Sequence, residues 1–229
     1  MGKRRLIGKI VILMLGLAAM VILAANSDTI PVSTHKNGYR VVIDPGHGGS
    51  DCGAVGVSGV KEAGLNLAVS LYLKEELEAL GMEAILTRSD ERALAEGKKA
   101  DMAARGKIMN GEGVDLVVSV HMNKFTDPSV HGPMAFYMKG SAEGEKLAKT
   151  VIDSITDELG APRRIANPGD YYVIRESMPV SVLVECGFLS NSGDEALLQQ
   201  EQHQKKLAHA IARGIFSYFE GDLGRKPLD

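Results

Sequence analysis

Apolar positions along this chain follow two rhythms. One is the short, nearly unbroken run of a strand buried on both faces. It occurs at Tyr39–Asp44, at Val114–His121 (the strongest of the set) and at Val180–Glu185. Weaker runs at Met82–Leu86, Ala135–Met138 and Tyr171–Arg175 complete the predicted strands. The other rhythm steps by three and four residues, as one face of a helix does. Leu65, Ala68, Val69, Tyr72, Leu73, Leu77 and Leu80 mark a helix over Glu62–Leu80 that Gly81 stops. Further helices are predicted at Ala93–Asn110, broken at Gly97, and at Glu143–Leu159. One or two more cover Asp194–Phe219, where Leu207, Ile211, Ile215 and Phe219 form the inward stripe. Alternating strands and helices predict the α/β class, with a mostly parallel sheet covered on both faces. No internal repeat and no second domain interrupts the pattern.

The first residues break both rhythms. Lys3, Arg4, Arg5 and Lys9 precede an uncharged apolar stretch from Ile10 to Ala25. A basic flank before a stretch apolar on every face is the pattern of an export signal, and it speaks against a core helix. Residues 1–25 therefore read as a signal peptide or an uncleaved membrane anchor: Ala24-Ala25-Asn26-Ser27 offers no clean cleavage site, and the stretch is slightly short for a full span. Both put the folded part outside the membrane. Polar residues 26–37 form a linker, residues 38–220 the domain, and 221–229 a tail. Four of the 26 basic and none of the 29 acidic residues lie in 1–25, so the remainder carries 22 against 29, a net of −7. An acidic exported domain is a poor partner for nucleic acid. Two cysteines, Cys52 and Cys186, do not make a disulfide framework, and free or buried thiols are expected.

Charge and composition leave the chemistry to a few positions. The first strand stops at Asp44-Pro45, because proline offers no N–H to a ladder. Gly46, Gly48 and Gly49 then bracket His47 in a glycine-rich loop that runs to Lys61. The strand runs thus lead to His47, to His121 and to Glu185, and ligands of open α/β sheets collect beyond the carboxyl ends of strands. Glu62 opens the next helix, where the glycine loop can fold it back. Two imidazoles and one carboxylate with an open fourth position make a catalytic zinc set, and the remaining carboxylate would be the general base. Spacing does not say which glutamate is which. Each residue also has a plainer reading. His47 could be a structural donor, His121 could hydrogen-bond Ser119 on the same strand face, and Glu62 could simply favour the helix dipole. Glu185 is harder to dismiss, since an acid that ends a buried aliphatic run needs a partner. His203 and His209 read as helix-surface residues and His131 as a loop histidine; His35 has no such placement.

The segments Ile43-Asp44-Pro45-Gly46-His47-Gly48-Gly49, Glu62, Ser119-Val120-His121-Met122-Asn123 and Val182 to Asn191 resemble the zinc-dependent N-acetylmuramoyl-L-alanine amidases, over about Tyr39 to Phe219. The resemblance implies Zn2+ held by His47, Glu62 and His121, with Glu185 as catalytic acid/base. It also implies a three-layer αβα sandwich around a twisted, mostly parallel sheet, and peptidoglycan as substrate. A membrane leader, a single catalytic domain and no appended wall-binding repeat bring the chain nearest to the family's sporulation members. Those trim spore cortex ahead of muramic-δ-lactam formation, which would place this chain in the forespore intermembrane space and allows a membrane lipoprotein partner. Arg175 resembles a family arginine before the last strand, suited to a peptide carboxylate or to a surface ion pair. Asn123 suits a substrate hydrogen bond or a turn. Arg88 and Arg105 read as structural. Cys52 stands where a small residue is expected. Two other functions compete: a zinc peptidase of the stem peptide, and a non-catalytic wall-binding protein.

Overall fold

A computed structural model describes residues 38–162 and 165–223. The leader, the linker (apart from its boundary with Gly38) and the last residues of the tail lie outside the described residues. Six strands form one sheet in the order β2-β1-β3-β6-β4-β5. They are β1 (Arg40–Pro45), β2 (Glu83–Leu86), β3 (Leu116–Asn123), β4 (Met134–Met138), β5 (Asn167–Gly169) and β6 (Val180–Phe188). Every pairing is parallel except β4 with β6. Because β1, β3 and β6 lie side by side and run the same way, their carboxyl ends share one rim.

The helices are α1 (Glu62–Ala79), α2 (Lys98–Met109), α3 (Ala142–Leu159), α4 (Tyr172–Glu176), α5 (Ser192–Leu198) and α6 (Glu201–Leu223). The pleat sends Val41 and Ile43 to one face and Val42 to the other. On the first face they meet Leu65, Val69 and Leu73 of α1, Val151 and Ile155 of α3, and the stripe Leu207, Ile211, Ile215 and Phe219 of α6. On the second, Val42 and Val117 meet Met109 of α2 and Val173 of α4. Helices on both faces of a mostly parallel sheet are the αβα sandwich expected from the sequence. Among the described residues no helix is long and apolar enough to cross a membrane.

Local chemistry explains where the predicted bounds moved. Gly97, with φ at 82°, is the residue before α2, so Ala93–Glu96 stays outside the helix. Asn191 caps the start of α5 by accepting from the amides of Gly193 and Asp194, and α5 ends at Leu198 with Gln199 as its C-cap, before α6 begins at Glu201. Tyr171–Arg175, predicted as a strand, is the helix α4 instead. Val173 and Ile174 are an apolar pair too short for periodicity to distinguish the two states. Cys52 and Cys186 are free thiols, the second buried on β6.

Where α6 crosses α3, a Cβ on Gly214 would lie 2.6 Å from Val151 Cα. Alanine favours a helix interior over glycine by about 1 kcal/mol, but backbone cannot yield as a side-chain tip does, and overpacking costs about 1–3 kcal/mol. Gly214→Ala is therefore expected to lower the melting temperature. A midpoint at or above that of the parent would show that the two helices part freely.

Candidate metal centre and active-site cleft

The rim shared by β1, β3 and β6 carries the site. The amide of Gly46 donates to Val120 O at 3.0 Å, which holds the turn after β1 against β3. A Cβ at Gly46 would stand 2.2 Å from His121 Cε1, so only glycine lets this turn pass the imidazole. His47 follows in the left-handed region, with φ at 61°. That conformation costs a non-glycine residue about 1–3 kcal/mol and persists where its surroundings enforce it. Its ring points inward, and Nδ1 lies 2.9 Å from Asp51 Oδ2.

The glycine loop is pinned rather than loose. It folds back onto α1 through Glu62 N to Ala54 O and Ala63 N to Cys52 O. At its far end Ser58 donates to Glu195 Oε1 through both amide and hydroxyl. This fold-back delivers Glu62 to the rim, where Oε2 accepts from the amide of Ala54 at 2.7 Å. Its Oε1 accepts from Asn66 Nδ2 at 3.1 Å and from the amide of Met122 at 3.2 Å. The same Oε1 lies 2.9 Å from His121 Nδ1 and 3.2 Å from His47 Nε2. Ligand atoms of His47, Glu62 and His121 all lie within 4.8 Å of one another. Burial opposes charge on Glu62, yet the two imidazoles outweigh it and hold the carboxyl well below its usual range. Burial likewise opposes a charged His47, while Glu62 and Asp51 overcome that and raise its pKa to about 9. A pocket that draws a proton onto an imidazole this strongly favours a cation. Two imidazole nitrogens and one ionised carboxylate are a donor set that fits zinc.

Glu185 sits across the strand pair from His121 and is 8% exposed. Its Oε2 has no hydrogen-bond partner among the described residues. Burial, and next to it the charge of Glu62, push its pKa up to about 7 against the pull of His121 and His47. These four side chains line one cleft of about 590 Å³, together with Asn123 and Tyr171. Asn123 ends β3, and its Oδ1 accepts from the amide of Lys124. Arg175 is not among the lining residues; it is half-exposed and ion-paired with Asp170 at 2.6 Å and Glu176 at 2.9 Å. His131 is exposed in a loop, with Nδ1 2.9 Å from Ser129 O, and His209 pairs with Glu76 on the α6 surface. Sequence reasoning passed over Asp51 and Asn66. Asp51, four residues past His47 in a loop, looks like a turn former; Asn66, one turn past Glu62 inside an apolar helix face, was the one legible signal.

Residues 41–217 match the family model described as N-acetylmuramoyl-L-alanine amidase. The germination-specific N-acetylmuramoyl-L-alanine amidase of Bacillus subtilis is 32% identical over 203 residues, 85% of each chain. Uncharacterized protein YqiI of Bacillus subtilis is 37% identical over 186 residues, 80% of this chain and 86% of that protein. Among solved structures, the CwlD amidase of Clostridioides difficile, determined in complex with the GerS lipoprotein, superposes with a TM-score of 0.77 at 32% identity, over 80% of this chain and all of that one. With a cleft whose donors suit a catalytic metal and a match that spans the described domain, this chain belongs to the N-acetylmuramoyl-L-alanine amidase family.

Proposed function

We propose that this chain is a zinc hydrolase that cleaves the amide between the lactyl group of N-acetylmuramic acid and the L-alanine of the stem peptide in peptidoglycan. The observation that carries this reading is the meeting of His47, Glu62 and His121 beside a buried acid with an unpartnered oxygen. His47 Nε2, Glu62 Oε1 and His121 Nδ1 would hold the ion, and Asp51 would keep the His47 ring turned toward it. Zinc bound there supplies a Lewis acid for the scissile carbonyl and acidifies water. Glu185 takes the proton of the attacking water and returns it to the departing alanine nitrogen. Its pKa of about 7 suits both transfers near neutrality. Asn123, which lines the cleft, would hydrogen-bond substrate. Arg175 would meet only a stem peptide that extends beyond the lining. The nearest biological reading is spore cortex maturation, supported by the likeness to a germination-specific amidase and to an amidase in complex with a lipoprotein. On that reading the domain is exported, works next to a membrane through its N-terminal segment, and takes a lipoprotein partner.

Digestion of purified peptidoglycan, with and without chelator and read by mass spectrometry, tests the chemistry. The expected products are glycan free of peptide and intact stem peptide with a free N-terminal alanine, formed only when zinc is present. Cuts within the stem peptide would make the chain a peptidase. Binding to the sacculus without products in the zinc-loaded protein would make it a wall-binding domain.

A further inference from the structure

We infer that Arg88 is a positioning residue for the metal centre, spacing two of its three ligands through their backbone. Arg88 follows β2 and is 3% exposed. Among the described residues its hydrogen bonds all go to main-chain carbonyls. Nε donates to Pro45 O at 2.9 Å and Nη1 to Asp90 O at 2.8 Å. Nη2 donates at once to Gly46 O at 2.9 Å and to Ala63 O at 2.8 Å. Gly46 immediately precedes His47, and Ala63 immediately follows Glu62. One nitrogen therefore ties the loop that carries one proposed ligand to the helix start that carries another. Asn66 makes a second, lighter tie, from the same Gly46 carbonyl to Glu62 Oε1.

The chemistry of the side chain supports a geometric role. A guanidinium taken out of water is an expensive way to fill space, and burial together with the charge of Arg105 lowers the Arg88 pKa to about 10. No carboxylate among the described residues hydrogen-bonds it. A rigid fork can, however, fix carbonyls that diverge from one another, which a single ammonium cannot. The loop it grips is rich in glycine, and His47 is held in a left-handed conformation that an unrestrained chain would leave. Ligands that must find their spacing on binding capture a metal more weakly than ligands already spaced, and loss of such outer support weakens metal sites by about 10- to 100-fold. The inference rests on the proposed reading of His47 and Glu62 as zinc ligands.

The test uses the purified chain as parent, Arg88→Lys, Arg88→Gln and His47→Ala. Zinc dissociation constants are measured by competition with a chromogenic chelator. Melting of the metal-free proteins and the visible spectrum of the cobalt-loaded ones are recorded alongside. Arg88→Lys keeps charge and length, and it is expected to bind zinc about 10- to 100-fold more weakly than the parent, with a shifted cobalt spectrum at saturation. A residue that only supported the fold would lower the metal-free melting temperature and leave affinity and spectrum unchanged. That result in both Arg88 variants would overturn the inference. So would variants that stay unfolded even with excess zinc, since Arg88 would then be a requirement of the whole domain. If the parent binds no zinc, or His47→Ala binds as well as the parent, the metal reading itself fails and takes the inference with it. If the parent binds and His47→Ala does not, only the role of Arg88 is at stake.

Discussion

Glu185→Gln is expected to lower kcat on peptidoglycan by about 10²–10⁴-fold while the protein still binds zinc. The substitution keeps the shape of a side chain enclosed by β3 and β4, whose His121 and Met134 stand opposite it in register. It removes the capacity to take up a proton. Glu62 cannot substitute, because its two oxygens are occupied by the amides of Ala54 and Met122 and by the imidazoles, and its carboxyl is held ionised. A ligand carboxylate wants a low proton affinity, whereas a proton shuttle wants one near the working pH. The two glutamates differ in the required sense, and the difference comes from surroundings: both imidazoles lie against the oxygen of one, while burial dominates at the other. Zinc titration beside the kinetics decides the case. Zinc lost in Glu185→Gln and kept in Glu62→Gln would exchange the two roles.

What the sequence disclosed about this site followed physical rules that act over short range. Buried parallel strands announce themselves as apolar runs, so the ends of β1, β3 and β6 were legible, and with them His47, His121 and Glu185 as residues of one rim. The position of Glu62 was legible as a helix start, but its role was not. That role depends on a glycine loop whose path is fixed by Ser58 meeting Glu195, 137 residues further on. No periodicity encodes such a contact. Asp51 was concealed differently, since four residues past His47 it looks like a turn former, whereas the long-range limit did conceal what the two buried arginines do. Arg88 and Arg105 together bind the carbonyls of Pro45, Gly46 and His47, three consecutive residues at the base of the site. Reading them as structural is silent about where they bind. For Tyr171–Arg175 the failure was one of length. Five residues with two adjacent apolar positions suit either state; in the structure they fall in α4, with Val173 packed against Val42 and Met109.

Arg105→Met is expected to destabilise the domain by about 3–5 kcal/mol, the usual consequence of stranding a buried charge. Arg105 and Asp44 are each 1% exposed and meet at 2.8 Å. Asp44 also accepts from Thr87 Oγ1 at 2.6 Å and Ser119 Oγ at 2.9 Å, while Arg105 Nε donates to Asp101 at 2.7 Å. Burial alone would raise the Asp44 pKa, but Arg105, the two hydroxyls and His121 reverse this and hold it below the ordinary aspartate value. A carboxyl lowered on folding adds stability above its unfolded pKa and loses it as pH falls through the folded one. Without the guanidinium the burial effect dominates, the folded pKa rises above the unfolded value, and the variant gains relative stability as acid supplies the proton. Urea melts should therefore show the gap between parent and Arg105→Met narrowing from pH 7 to about pH 4. A gap that stays constant, or widens, would mean that Asp44 keeps its charge without Arg105. Replacing both partners, as Asp44→Leu with Arg105→Met, removes the orphaned charge at Asp44, leaves only Asp101 without its partner, and is expected to destabilise less than Arg105→Met alone. The sign of that difference separates a pair that holds the fold by attraction from one whose larger effect is the penalty each member suffers without the other.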